Sequence, residues 1–167
     1  MVPPTRRRPR RGLLAATAAV VIVADLATKT WIVRRYAGGR VTTVIPHLLD
    51  IEQSRNAGAA FGIATGLTII LSIVAIAVAA AVVRASRRLY SAWWAVSLGL
   101  LLGGALGNLG DRIFRSPGVL RGEVVDWIAF THYPVFNLAD SGITVGGVLA
   151  VVLALRGLRL DGTREER

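Results

Sequence analysis

Two aspartates stand fourteen residues apart in a chain whose composition otherwise suits lipid. Asp126 lies in Gly122-Glu-Val-Val-Asp-Trp-Ile128, and Asp140 in Phe136-Asn-Leu-Ala-Asp-Ser141. Asp140 opens an apolar run long enough to enter a bilayer, where a carboxylate is costly and marks a functional site by default. Two carboxylates sharing a site cannot both ionise easily, so one holds a proton near neutral pH. The ionised member can take a proton from a water that attacks an amide carbonyl. The protonated member can donate to the carbonyl oxygen and later to the leaving nitrogen. The plainer alternative makes Asp140 a helix cap, which Asp-Ser-Gly-Ile suits, and Asp126 a partner in a surface ion pair. Capping and catalysis are compatible.

The remaining residues narrow the chemistry. The chain has no cysteine, which removes disulfides, thiolate nucleophiles and cysteine-ligated zinc. Asp25 and Lys29 are spaced i, i+4 and can pair on one helix face, a structural role that lowers the cost of both charges in lipid. No serine is placed to make Lys29 the base of a nucleophile. His47 and His132 read as loop or interface residues. Gly107-Asn-Leu-Gly-Asp-Arg112 closes an apolar run. Asn108 and Arg112 carry donors suited to a peptide backbone or a developing oxyanion, although by spacing alone Asp111 and Arg112 read as a helix stop. Asn56 begins the small-residue stretch Asn56-Ala-Gly-Ala-Ala-Phe-Gly62, suited either to holding a substrate strand or to a turn with close helix packing. Gly99, Gly103 and Gly107 form two overlapping GxxxG patterns, which read as packing. Asp111, Asp126 and Asp140 could gather a metal, but no spacing demands one.

These residues need elements to position them, and hydropathy supplies four. The chain is 53% hydrophobic, only 18% charged, and its mean hydropathy is +0.55. Apolar runs cover 13–33, 62–83, 89–110 and 141–155, against about 20 residues needed to span a bilayer. The fold expected is an all-α membrane protein with four transmembrane helices in one domain, 1–167, with small β elements and loops outside. The β-branched stretch Arg40 to Gln53, broken at Pro46, and Val124-Val125 read as short strands. Pro3 to Arg11 and Thr163 to Arg167 read as unstructured.

The net charge of +10 and pI near 11.6 would point to nucleic acid in a soluble protein. Here the basic residues flank apolar runs, so the charge reads as topology and membrane-lipid contact, with no nucleic-acid partner. The two tails, 1–11 and 156–167, and the loop between spans two and three hold twelve of the 20 basic residues and three of the ten acids. That excess places both termini in the cytoplasm and both long loops outside. From the rise per residue, Asp25 lies about 18 Å from the inner edge and Asp140 about 22 Å. Asn108 reaches the outer surface by the same count, and Asn56 precedes the second span there. The polar residues of four stretches thus share one depth, and the inner half is bare.

Four blocks taken together resemble the lipoprotein signal peptidases (signal peptidase II), aspartic peptidases of the bacterial inner membrane. They are Asp25-Leu-Ala-Thr-Lys29, Asn56-Ala-Gly-Ala-Ala-Phe-Gly62, Gly107-Asn-Leu-Gly-Asp-Arg112 continuing to Val124-Val-Asp126, and Phe136-Asn-Leu-Ala-Asp-Ser141. They occur in the family's order and cover nearly the whole membrane core. The resemblance implies a multi-pass endopeptidase that cleaves diacylglyceryl-modified prolipoproteins before the lipidated cysteine, without metal or organic cofactor. On the family's pattern Asp126 and Asp140 match the catalytic dyad. Asn56, Asn108, Asp111, Arg112 and Asn137 match residues supporting substrate or dyad, and Asp25 matches a structural acid. The stretch 113–121 is longer than in many members, and Trp127 stands where many have phenylalanine.

A monomer acting near the outer surface on a lipidated precursor is therefore expected. Two other readings have distinct signatures. A metal-dependent membrane hydrolase would lose activity to a chelator. A small ion-coupled transporter would carry polar groups through the full depth, commonly at the midplane.

Overall fold

The computed structural model describes residues 8–57 and 66–164. Four helices dominate it: α1 (Arg11–Arg35), α2 (Gly66–Ala85), α3 (Ala92–Phe114) and α4 (Leu138–Leu155). All four are long and apolar enough to cross a membrane. They correspond to the four expected spans, with shifted ends. Gly58 to Gly62 of the small-residue stretch, and the extremes of both tails, lie outside the described residues.

The shifted ends have physical causes. Helix α3 runs past Asp111 and Arg112 to Phe114, because both side chains turn into the protein rather than stopping the helix; they are 6% and 7% exposed. Helix α4 starts at Leu138, not at 141. Its N-cap is Asn137, whose side chain accepts from Asp140 N at 2.9 Å, while Asp140 Oδ2 accepts from Asn137 N at 3.2 Å. This reciprocal pair is a capping box. Asp140 therefore belongs to the first turn and is not itself the N-cap. The C-terminal stretch is also more ordered than its composition suggests: Leu160 O accepts from Tyr90 N and Ser91 N, and Leu158 bridges to Arg164.

Helix α3 is the hub. It packs on α1, α2 and α4, whereas α2 leans on α3 with no substantial contact to α4. Glycines make this possible. A Cβ at Gly99 would sit 2.8 Å from Leu14 O, and one at Gly103 2.8 Å from Ala18 O, both on α1. On α4 a Cβ at Gly146 would lie 2.8 Å from Ser97 O of α3, and one at Gly142 3.3 Å from Leu100 O. The small-residue pattern works as a packing face, as membrane helices require in the absence of a hydrophobic drive between them. Ser97 Oγ adds a buried bond to Gly146 O at 2.8 Å.

One end of the bundle carries an antiparallel sheet of β1 (Val41–Ile45), β2 (Leu49–Asn56) and β3 (Val124–Phe130), in that order. Strand β3 is longer than the expected Val124-Val125 and contains Asp126. Its Val125 is buried against Ile32 and Tyr36 at the end of α1. The sheet thus clamps Asp126 onto the helical bundle. The opposite end holds the tails and the turn Ser86–Arg88, tied by Arg11 to Ser86 O and Arg87 O.

Candidate active site

Strand β3 and helix α4 present the two aspartates to each other. Asp126 is 1% exposed and makes no surface ion pair, which removes the plainer sequence reading of it. Ser54 of β2 stands opposite Asp126, so Asn56, two residues on, shares its face. Asn56 Nδ2 donates to Asp126 Oδ2 at 2.9 Å. From the other side Asn137 Nδ2 donates to Asp126 Oδ1 at 2.6 Å. Asn137 is fully buried, and its backbone N–H reaches Asp140 Oδ2. One asparagine therefore touches both carboxylates and caps α4.

Asp140 Oδ1 accepts from Asn108 Nδ2 at 2.7 Å. The orientation of that amide is set behind it: Lys29 Nζ, which can only donate, lies 3.0 Å from Asn108 Oδ1. Lys29 is 1% exposed and also pairs with Asp25 Oδ2 at 2.6 Å and Asp111 Oδ2 at 3.0 Å. The expected Asp25–Lys29 pair thus forms and extends across to α3. Asp25 Oδ1 accepts from Ala139 N at 3.0 Å, tying α1 to the start of α4. Asp111 is engaged further by Arg115 and by Val125 N. That draws it away from the two acids it would have to join as a metal ligand; among the described residues no three acids, histidines or cysteines gather for one.

Arg112 is buried beside this network, and its Nη1 has no hydrogen-bond partner among the described residues. A buried, unmatched donor next to two carboxylates suits a substrate carbonyl. The Asp126 carboxyl is pushed up to about 6: burial acts first and the Asp140 charge adds to it, while bonds from Asn56 and Asn137 and the charge of Lys29 oppose them. Such a carboxyl carries a usable proton close to neutral pH.

Most of the named residues converge, but Asp25, Lys29 and Asp111 lie behind the carboxylates and do not touch them. The link from Lys29 through Asn108 to Asp140 was not read from the sequence, since it joins α1, α3 and α4 without a shared spacing. The long stretch 113–121 folds back on the end of α3, with Gly122 N donating to Arg112 O, and docks on α2 through Ser72 Oγ to Leu120 O at 2.9 Å. An aromatic turn, Phe130 stacked on Phe136 with Tyr133 edge-on, borders Asp140 and was not singled out by sequence. Its only signal was three aromatics between strand and helix.

Fold and site define a multi-pass membrane protein with a pair of acids, Asp126 buried and Asp140 half-buried, at the sheet-bearing end. The chain belongs to the signal peptidase (SPase) II family, whose profile matches residues 17–156. It is 52% identical over 156 residues to a lipoprotein signal peptidase of Rhodococcus jostii, covering 93% of this chain and 79% of that one. Against the lipoprotein signal peptidase of Streptomyces coelicolor the identity is 49% over 159 residues, covering 95% and 78%. Two solved bacterial membrane enzymes superpose with TM-scores of 0.76 and 0.75, at 36% and 33% identity. The first covers 87% of this chain and 94% of its own, the second 93% and 95%. Membership of a peptidase family removes the transporter reading.

Proposed function

We propose that this peptidase removes signal peptides from diacylglyceryl-modified prolipoproteins, cleaving before the lipidated cysteine, with Asp126 and Asp140 as the acid–base pair. The observation that carries the reading is Asn137, bonded to both carboxylates while one of them is pushed up to about 6. The ionised carboxylate takes a proton from water as its oxygen adds to the scissile carbonyl. The protonated partner donates to the carbonyl oxygen, giving a neutral gem-diol. The carboxyl that took water's proton then gives it to the nitrogen while its ionised partner takes a proton from a gem-diol hydroxyl, so the C–N bond breaks, leaving a carboxylic acid on the signal peptide and the amine of the lipidated cysteine. Asn56 and Asn108 hold the carboxylates in place, and Arg112 Nη1 is positioned to hold a substrate carbonyl. Asp25, Lys29 and Asp111 brace the site from behind. No cofactor or metal enters these steps.

The arginine distribution supports cytoplasmic termini, with the sheet and the acids at the outer surface of the bacterial inner membrane. A scissile bond just outside a membrane-spanning signal peptide lies at that depth. Both acids and the residues that hold them lie within one chain, so a monomer suffices for this chemistry. The test is incubation of purified protein with a diacylglyceryl prolipoprotein, with and without chelator. Asp126→Asn and Asp140→Asn each abolish cleavage while the protein still accumulates in the membrane, and the chelator has no effect. Wild-type rates in either variant end the dyad assignment; loss of activity to the chelator favours a metal-dependent hydrolase.

A further inference from the structure

Asp140 stands on the boundary between two cavities. One, of about 360 Å³, lies between α2, α3 and α4, with Asn56, Asn108 and Arg112 at its top and Val74, Val78 and Leu101 among its walls. The other, of about 550 Å³, lies between the aromatic turn and α4, lined by Phe130, Tyr133, Phe136, Thr144 and Val145. At 100° per residue along α4, Ile143 lies to one side of Asp140, and Thr144, Ser141 and Val145 to the other. The first groove follows α3 from Arg112 down to Leu101, about 16 Å of helix depth. The second descends only from Asp140 to Val145, about 7 Å.

We propose that these are two halves of one substrate site: the α2–α3 groove takes the membrane-spanning signal peptide, and the aromatic cavity takes the diacylglyceryl group. The division rests on the reading of the chain as a prolipoprotein peptidase. A signal peptide must run deep into the bilayer, and of the two cavities at Asp140 the α2–α3 groove is the deep one. Its walls are apolar, and its top carries donors for the last, extended residues before the scissile bond. Among the described residues α2 makes no substantial contact with α4, which leaves this groove a side that faces lipid. The lipidated cysteine follows the scissile bond directly, so it falls on the far side of Asp140.

The chemistry of the second cavity fits that occupant. Its aromatic wall covers the glyceryl backbone, and the hydroxyls of Tyr133 and Thr144 can donate to ester carbonyls. Its volume falls within the range of small-ligand sites, about 300–1,000 Å³. Below it Val145, Val148 and Val151 are exposed on α4, a stripe that returns acyl chains to the bilayer. Lipid tails gain nothing by moving from bilayer to apolar protein. Selection therefore comes from shape and from the ester bonds.

The test uses Asp126→Asn protein as a non-cleaving trap in bicelles. Two prolipoproteins carry a diazirine, one on an acyl chain next to the glycerol, the other in the apolar core of the signal peptide. The acyl probe labels the segment 130–148, and the peptide probe labels 71–78 or Leu101. Exchanged labelling, or an acyl probe found only on free lipid, overturns the division. In the cleaving enzyme Val145→Trp fills the second cavity and raises KM for the diacylglyceryl substrate about tenfold, the roughly 1.4 kcal/mol that one lost subsite contact represents, with kcat within about twofold; an unchanged KM also overturns it. A wild-type enzyme that leaves diacylglyceryl prolipoprotein uncut refutes the proposed activity instead, and is recognised before any variant is made.

Discussion

Lys29→Met removes a buried cation on which three polar side chains converge. Lys29 Nζ lies 2.6 Å from Asp25, 3.0 Å from Asp111 and 3.0 Å from Asn108, with the side chain 1% exposed. Breaking a buried ion pair by deleting one partner destabilises by about 3–5 kcal/mol, because the other charge is left uncompensated. The two acids do not count twice. Asp111 keeps Arg115 and Val125 N, so only Asp25 is stranded, with Ala139 N as its remaining partner. The expected loss is therefore that of one pair, about 3–5 kcal/mol. Asp25→Asn keeps an acceptor for Ala139 N and loses less. The double variant Asp25→Asn, Lys29→Met recovers part of the loss, since no buried acid is stranded at that position. Steric-trapping measurements of unfolding in bicelles read all three. A Lys29→Met loss below about 1 kcal/mol, or strict additivity in the double variant, would refute the claim that Lys29 serves as buried countercharge.

Asn137→Ala removes a donor that favours the ionised form of Asp126. Its carboxyl then rises above about 6, and the alkaline limb of the kcat/KM profile moves to higher pH; an unshifted limb separates Asn137 from the titration. Gly104→Ala drives a methyl against the Ala139 carbonyl and the Ile143 side chain, and destabilises the fold by about 1–3 kcal/mol. Unfolding in bicelles checks this, and a neutral result means that α3 and α4 pack less closely. Ser97→Ala deletes the bond to Gly146 O and costs about 0.6 kcal/mol, near the average for such bonds within membranes; a loss several times larger would show that the hydroxyl has a further role.

Much of the architecture is legible in hydropathy, because a chain in lipid must satisfy its backbone within helices. The ends of those helices are less so. Asp111 and Arg112 read as a stop because charge at a helix end normally meets water, but Lys29 waits for Asp111 inside the bundle. Asp140 reads as a possible cap because Asp is itself favoured there, whereas the Asn-x-x-Asp spacing makes Asn137 the cap and Asp140 its reciprocal partner. The β1–β2 hairpin follows from β-branched residues around Pro46, whereas β3 pairs with β2 across nearly seventy residues, and no local pattern encodes that. At the site, hydropathy and arginine counting predict only that Asp126 and Asp140 lie on the same side of the membrane. Their meeting through Asn137 depends on side-chain reach that spacing does not show.

The order of these parts along the chain bears on how the enzyme matures. Asp126 lies on a strand made before the last span, yet Asn137 and Asp140 come with α4, and the bonds that orient them are those that start that helix. A chain with three spans inserted has one acid of the proposed pair and no partner for it. The first turn of α4 and the completed acid pair therefore form in one step. On the proposed mechanism, a chain whose fourth helix is not yet seated lacks one of its two acids and has no means of cleaving a signal peptide.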